Sequence, residues 1–138
     1  MNEYKFSDLE IGQKETFTSK ITQEKMELFQ KISGDDNPLH TQMEFAQNHG
    51  YENKVVYGML SASLISTLAG VYLPGKYCLI QQVESKFIAP VFVGDMLVVC
   101  GIVQELNESV KQAVIKFEIK NQKGQKVVRG KLRVGFLE

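Results

Sequence analysis

The chain has 138 residues, a length that suits one domain built around a single hydrophobic core. Lys plus Arg and Asp plus Glu number 16 each, so no net charge favours nucleic acid or an anionic lipid surface as a partner. The N-terminus lacks a basic region followed by an apolar run, and the apolar stretches are too short to cross a bilayer. We therefore expect one domain over residues 1–138, located in the cytoplasm, with no nucleic-acid or membrane partner.

The first half of the chain predicts one strand followed by helices. Residues 13–21 are rich in β-favouring side chains and predict a short strand. Thr22 then offers an N-cap for an amphipathic helix over residues 23–32, and residues 41–49 predict another short helix. Residues 58–70 carry no charge and only small hydroxyls as polar groups. We expect this segment to be a helix buried on nearly all sides.

The second half of the chain predicts strands joined by tight turns, over residues 77–87, 96–106, 110–120 and 126–136. In the last two segments apolar residues alternate with Lys, Arg and Glu, which indicates strands with one buried face and one solvent-exposed face. Such strands are typical of an antiparallel sheet. The predicted fold class is therefore α+β, with a curved antiparallel sheet wrapped around one apolar helix.

The segment Ser33–His40 cannot be a regular helix throughout, because Pro38 lacks an N–H and the preceding residues favour turns. We expect an ordered loop that holds Asp35 near His40. A carboxylate and an imidazole that share one water can add or remove water across an activated double bond. The alternative is structural, with Asp35 capping a turn and His40 bonded to backbone.

Gly58 begins the uncharged helix, where the first N–H groups have no partner within the helix. Their partial positive charge favours a developing anion, such as the oxygen of a polarised thioester carbonyl. The alternative is that Gly58 only allows close packing. Cys78 and Cys100 lack the spacing of a metal or redox motif and are predicted to be inert core thiols. His49 is interpreted as a helix-terminal residue.

The segment Gly34–His40, followed after five intervening residues by Ala46, resembles the signature of the R-specific enoyl-CoA hydratases. These enzymes form the hydratase 2 or MaoC-like branch of the hot-dog superfamily. The similarity continues through residues 57–66, 73–75 and 87–95, so it covers most of the chain in order. The resemblance implies a hot-dog fold, an acyl thioester substrate and a homodimer.

The resemblance also implies roles for individual residues. Asp35 and His40 would jointly hold and activate the water and handle the proton at the α-carbon, while the Gly58 N–H would contact the oxyanion. Ser66 matches a family serine that supports the hydrogen-bond network, although it could equally be bonded to its own helix. Which of Asp35 and His40 is the base stays open, because close groups titrate as a coupled pair.

Two further residues complete the predicted site. Asn37 lies within the family signature and is placed with the substrate-binding residues. Tyr57 stands where family members commonly have His, and it keeps a ring and a hydrogen-bonding tip. We expect the dyad chemistry to survive this replacement, with an effect on substrate fit or on the anchoring of the loop.

The predicted function is that of a hydro-lyase which converts trans-2-enoyl thioesters reversibly, by syn hydration, into (R)-3-hydroxyacyl thioesters. Coenzyme A is the expected carrier, and a 3-hydroxyacyl-[acyl-carrier-protein] dehydratase is the alternative. An acyl-CoA thioesterase and a non-catalytic acyl-CoA-binding protein are the rival interpretations. No metal or redox cofactor is expected, because the reaction needs neither.

Overall fold

The computed structural model describes residues 1–137. Five strands form one antiparallel sheet, and they are β1 (Lys14–Lys20), β2 (Cys78–Phe87), β3 (Met96–Asn107), β4 (Gln112–Lys120) and β5 (Lys126–Phe136). Their order across the sheet is β1-β3-β4-β5-β2, so β1 and β2 are its edges. The predicted strands are confirmed, with ends that differ by one or two residues from those expected.

The helices are α1 (Gln23–Ser33), α2 (Pro38–Thr41), α3 (Met43–Asn48) and α4 (Gly58–Thr67). A short 3-10 turn (Phe6–Asp8) precedes β1, and a π-helical turn (Leu68–Tyr72) extends α4. The core lies between this extended helix and the sheet: Leu68 is fully buried, and its side chain occupies the space above Gly101 in β3. The α+β class and the antiparallel sheet around one apolar helix are thus confirmed.

The alternating patterns in β4 and β5 mark the core face correctly. Ile115, Phe117 and Ile119 are buried, whereas Lys116 between them is exposed. The helix that packs on one face of the sheet shields the apolar side chains there from water. The charged side chains on the opposite face stay hydrated. The period of two in the sequence was therefore sufficient to orient both strands.

Both ends of α1 follow the local sequence. The Thr22 hydroxyl accepts a hydrogen bond from the Lys25 N–H (3.2 Å), as an N-cap residue does. Gly34 adopts a left-handed conformation with φ of 73°, and its N–H donates to the Gln30 carbonyl (2.8 Å). The predicted start and end of this helix are confirmed.

The expectation of a loop over the whole segment Ser33–His40 was wrong at its C-terminal end, because α2 begins at Pro38. Proline is compatible with the first helical position, where an N–H would have no partner in any case. The segment remains irregular from Gly34 to Asn37, and then enters one short helix that carries His40.

The expectation that the helix starting at Gly58 is buried on nearly all sides was also wrong. Ser61 and Ile65 are its buried residues, whereas Met59 is 65% exposed and Ser63 and Ser66 are exposed. In the single chain, one side of α4 is therefore buried in the core and the other side is in contact with solvent. Within residues 1–137, no helix combines the length and the apolar character needed to span a bilayer.

Gly130 in β5 provides a test of how tightly the sheet is packed. A β-carbon at this position would collide with the Glu84 carbonyl of β2 and approach the Phe117 ring within 2.9 Å. We expect Gly130→Ala to lower the free energy of unfolding by about 1–3 kcal/mol, as overpacking does. Urea unfolding followed by circular dichroism measures this change.

Gly70→Ala is the matched control, since nothing lies within 4 Å of a β-carbon built there and the glycine sits in the π-helical turn. We expect this variant to keep its stability or to gain up to about 1 kcal/mol. Equal stability losses in both variants would contradict the packing described for Gly130.

Candidate active site

The irregular segment before α2 is held by hydrogen bonds between side chains and nearby backbone. The Ser33 hydroxyl accepts from the Asp35 N–H (3.1 Å), Asp35 Oδ1 accepts from the Asn37 N–H (3.1 Å), and Asn37 Oδ1 accepts from the Leu39 N–H (2.9 Å). Each bond spans two residues, as in Asx and ST turns. The shape of the segment therefore follows from its own sequence.

His40 is tied to the strand-like segment that leads into α4. Its Nδ1 lies 2.7 Å from the Val55 carbonyl oxygen, and the Val55 N–H donates to the Leu39 carbonyl (3.1 Å). Because a carbonyl oxygen only accepts, Nδ1 must carry a proton. In the neutral ring, Nε2 is then the unprotonated nitrogen and can accept a proton from water.

Tyr57 connects this loop to the central helix. Its side chain is 2% exposed, its hydroxyl donates to the Asp35 carbonyl (2.9 Å), and its ring centroid lies 4.3 Å from that of His40. Phe29 of α1 packs on the same ring at 4.9 Å. Burial raises the pKa of Tyr57, and the charges of Asp35 and Asp36 raise it further. Tyr57 thus holds Asp35 and His40 against the start of α4.

A cavity of about 320 Å³ opens at the start of α4, and its lining includes His40, Tyr51, Gly58 and Ser61 as residues with polar groups. Its apolar wall includes Val56, Phe87, Ile88, Val91, Val127 and Val128. An apolar cavity with a few polar groups at one end is the usual form of a small-molecule site. This lining suits a ligand that combines a polar group with an apolar chain.

Gly58 is the first residue of α4, and the helix supplies no acceptor for its N–H. A β-carbon at this position would lie 3.1 Å from the Phe87 ring, so the glycine keeps the backbone accessible beside that ring. The helix dipole adds a partial positive charge here. A carbonyl oxygen that enters the cavity can therefore accept a hydrogen bond from the helix start.

The structure brings only two of the predicted site residues, His40 and Gly58, into the wall of this cavity. Asp35 is exposed and does not line the cavity, and its backbone carbonyl accepts from the Tyr57 hydroxyl. The Asn37 side chain caps α2. Ser66 lies on the exposed side of α4. Tyr57 is buried behind His40 and supports the site from the core.

Ser61 is a buried polar residue of the cavity that the sequence patterns did not single out. It lies three residues after Gly58 on the same helix and is 2% exposed. The spacing of three is the signal that could have found it, since residues three apart share one face of a helix.

The remaining reactive side chains lie apart from the cavity wall. His49 caps α3 at its C-terminus, where its Nδ1 donates to the Phe45 carbonyl (2.7 Å). Burial raises the pKa of the Cys78 thiol to about 11, which keeps it protonated and unreactive. Residues 1–137 contain no group of three or more His, Cys, Asp or Glu side chains placed to hold a metal ion.

Comparison with known proteins agrees with this fold. A family model described as "MaoC like domain" matches residues 7–127. An (R)-specific enoyl-CoA hydratase from Aeromonas caviae is 37% identical over 122 residues, which cover 88% of this chain and 91% of that protein. A mitochondrial 3-hydroxyacyl-[acyl-carrier-protein] dehydratase from Arabidopsis thaliana is 32% identical over 114 residues, which cover 81% of this chain and 66% of that protein.

The solved structure of an unliganded R-hydratase from Pseudomonas aeruginosa has a TM-score of 0.90 and 32% identity to this chain. The match covers 97% of this chain and 86% of that one. The antiparallel sheet is wrapped around a helix, and a cavity lies at the start of that helix. Together these features define a hot-dog protein. The chain belongs to the MaoC-like family of that superfamily, which confirms the resemblance seen in its sequence.

The raised pKa of Tyr57 predicts how stability depends on pH. In the unfolded chain this tyrosine ionises near its ordinary pKa of 10.0, whereas the folded protein keeps it neutral to higher pH. The contribution of Tyr57 to the free energy of unfolding is therefore fully present below pH 10, and it is lost as the pH rises through the folded-state pKa. We expect Tyr57→Phe to be less stable than wild type by about 0.5–1.5 kcal/mol at neutral pH.

This difference should shrink as the pH rises above 10, because the wild type alone carries the Tyr57 titration. Urea unfolding over a series of pH values measures it, and Tyr51→Phe is the control, since Tyr51 is exposed. A stability difference between wild type and Tyr57→Phe that stays constant across the series would contradict the prediction.

Proposed function

We propose that this protein hydrates trans-2-enoyl-CoA thioesters reversibly to (R)-3-hydroxyacyl-CoA thioesters, as the name of its relative from Aeromonas caviae describes for that protein. The observation that carries the proposal is the position of His40 and the Gly58 N–H on one apolar cavity. These groups supply a proton acceptor for water and a hydrogen-bond donor for a thioester carbonyl. The enzyme is accordingly a hydro-lyase.

In the proposed reaction Asp35 and His40 hold one water beside the double bond. The Val55 carbonyl keeps the proton of the neutral ring on Nδ1, so Nε2 can accept a hydrogen bond from that water. Asp35 uses Oδ1 to accept from the Asn37 N–H, and as an exposed residue it presents its other oxygen to solvent. The two side chains act as a pair in removing the proton from the attacking water.

The bond changes are those of a hydration. The water oxygen bonds to the β-carbon, the electron pair of the double bond moves toward the thioester carbonyl, and an enolate forms. The Gly58 N–H stabilises the negative oxygen, and one such donor contributes roughly 3–4 kcal/mol. The enolate then takes a proton at the α-carbon from the pair, on the face where hydroxyl was added. One water is consumed, and no metal or redox cofactor is required.

A second carrier is supported by the relative from Arabidopsis thaliana, whose name specifies an acyl-carrier-protein substrate. The same cavity chemistry would serve a thioester on either carrier, since the reacting atoms are identical. Coenzyme A is the proposed carrier because the relative with the higher identity, from Aeromonas caviae, is named for it. Activity measured with the same acyl group on both carriers decides between them.

We also propose that the protein acts as a homodimer joined along β2. Val83 pairs with Leu132, which is buried on the core face of the sheet, yet Val83 is 45% exposed. Ile80 and Phe87 are exposed at 39% and 53% in the same edge strand. Apolar side chains on an uncovered edge are a liability unless a second chain covers them. A second copy aligned along β2 would cover them and continue the sheet.

The catalytic pair is tested with crotonyl-CoA, following the loss of enoyl absorbance. We expect Asp35→Asn and His40→Gln each to lower kcat/KM by about 10²–10⁴-fold, because each removes a proton-transfer group. Both variants should keep the wild-type circular dichroism spectrum, since both replacements are close in size to the original side chain.

The chain offers a matched control for each substitution. Asp36→Asn makes the same charge change next to Asp35, and His49→Gln removes the other histidine, whose Nδ1 also donates to a backbone carbonyl. Both controls should stay within about threefold of wild type. Wild-type rates in the Asp35 and His40 variants would remove the pair from the mechanism, and release of free thiol without hydration would indicate a thioesterase instead.

The dimer is tested with Val83→Lys, which places a charge on the uncovered core face of β2. We expect the variant to sediment as a monomer under conditions in which the wild type sediments as a dimer, because a buried unpaired charge opposes association. Val110→Lys makes the same change in the exposed turn before β4 and should leave the dimer intact. A monomeric wild type would overturn the proposed assembly.

A further inference from the structure

Ser61 is a buried polar residue that the mechanism above leaves unused. It is 2% exposed, and it lines the same cavity as His40 and Gly58. Its hydroxyl oxygen is buried and has no hydrogen-bond partner among residues 1–137. An unpaired buried hydroxyl destabilises a folded protein, so a residue of this kind at a cavity wall indicates a partner that arrives with the ligand.

The helix itself does not satisfy this hydroxyl. A helical serine usually donates to the carbonyl four residues earlier, which for Ser61 is that of Tyr57. The Tyr57 carbonyl already accepts from the Leu60 N–H (3.0 Å) and from the Ser61 N–H (3.3 Å). A carbonyl oxygen has two lone pairs, and both are used here. By contrast, the Ser63 hydroxyl donates to the Leu60 carbonyl (2.6 Å).

The position of Ser61 on α4 places its side chain on the side of the helix that borders the cavity. It follows Gly58 by three residues, so both lie on the face that borders the cavity. Side chains on a helix lean toward its N-terminus, and Ser61 therefore covers the turn in which Gly58 lies. A ligand oxygen in the cavity would therefore approach the Gly58 N–H from the side of the helix on which Ser61 lies.

We propose that the Ser61 hydroxyl is a second hydrogen-bond donor to the thioester carbonyl oxygen, alongside the Gly58 N–H. The proposal rests on the proposed hydratase function and names a further catalytic residue for it. When water adds to the β-carbon, the electron pair of the double bond moves to the carbonyl oxygen and the hydrogen bond from Ser61 strengthens. Ser61 keeps its proton throughout, and the negative charge of the enolate is neutralised by protonation at the α-carbon.

The test compares Ser61→Thr with Ser61→Val, two variants of the same shape that differ in the hydroxyl alone. With crotonyl-CoA we expect Ser61→Val to lose about 10²-fold in kcat with KM within about threefold of wild type, because the donor acts mainly on the developing charge. Ser61→Thr should restore most of that loss. Ser63→Ala, which removes an exposed hydroxyl from the same helix, is the control and should keep wild-type kcat.

Stability separates this role from a structural one. An unpaired buried hydroxyl destabilises the folded protein, so Ser61→Val should unfold at a urea concentration no lower than Ser61→Thr does. A merely structural serine predicts the opposite order, with the valine variant unfolding first. That order, together with equal kcat in the two variants, would overturn the proposal while leaving the hydratase function intact.

A second measurement does not depend on turnover. Butyryl-CoA labelled with ¹³C at the carbonyl binds without reacting, and its carbonyl stretching band reports hydrogen bonds to that oxygen. We expect the band to lie at lower frequency in the wild type and in Ser61→Thr than in Ser61→Val. An identical band in all three proteins counts against Ser61. The wild type could also show a lower band frequency than Ser61→Val and yet fail to hydrate crotonyl-CoA. That result would refute the proposed function but would retain Ser61 as a hydrogen-bond donor to the carbonyl.

Discussion

The arrangement of the site depends on one buried side chain, Tyr57. Its hydroxyl donates to the Asp35 carbonyl at 2.9 Å, and its ring packs against the rings of His40 and Phe29. Because it directly precedes Gly58, the same residue joins the loop to the start of α4. Local hydrogen bonds shape the loop, and the Tyr57 contacts, together with the bonds of His40 and Leu39 to Val55, determine where the loop lies relative to the helix.

Function and folding place opposite demands on the start of α4. The first N–H groups of a helix and a buried serine hydroxyl both destabilise the protein while they lack partners. Gly58 and Ser61 place such groups at the cavity. The buried core between the sheet and the helix provides the stability that offsets this cost. A site that binds a developing negative charge needs donors that no other part of the protein has already occupied.

Much of the fold was predictable because its signals are local. The two-residue period of β4 and β5, the Thr22 cap and the left-handed Gly34 each express backbone or side-chain preferences within a few residues. The burial of α4 was not predictable in this way, since an uncharged segment suits complete burial equally well. Whether the sheet covers one side of a helix or all sides depends on strand order, which no short stretch of sequence encodes.

For the site, the sequence by itself determined the residue types: the irregular turn around Asp35, the cap at Asn37, the imidazole of His40 and the glycine at a helix start. Those features follow from bonds spanning two to four residues and from the family signature. Tertiary structure decided which of them share a cavity. It placed His40 and Gly58 on the wall, put Tyr57 behind them and left Ser66 on the exposed side of α4. It also brought in Ser61, because only packing between distant segments shows which hydroxyl is buried and left without an acceptor.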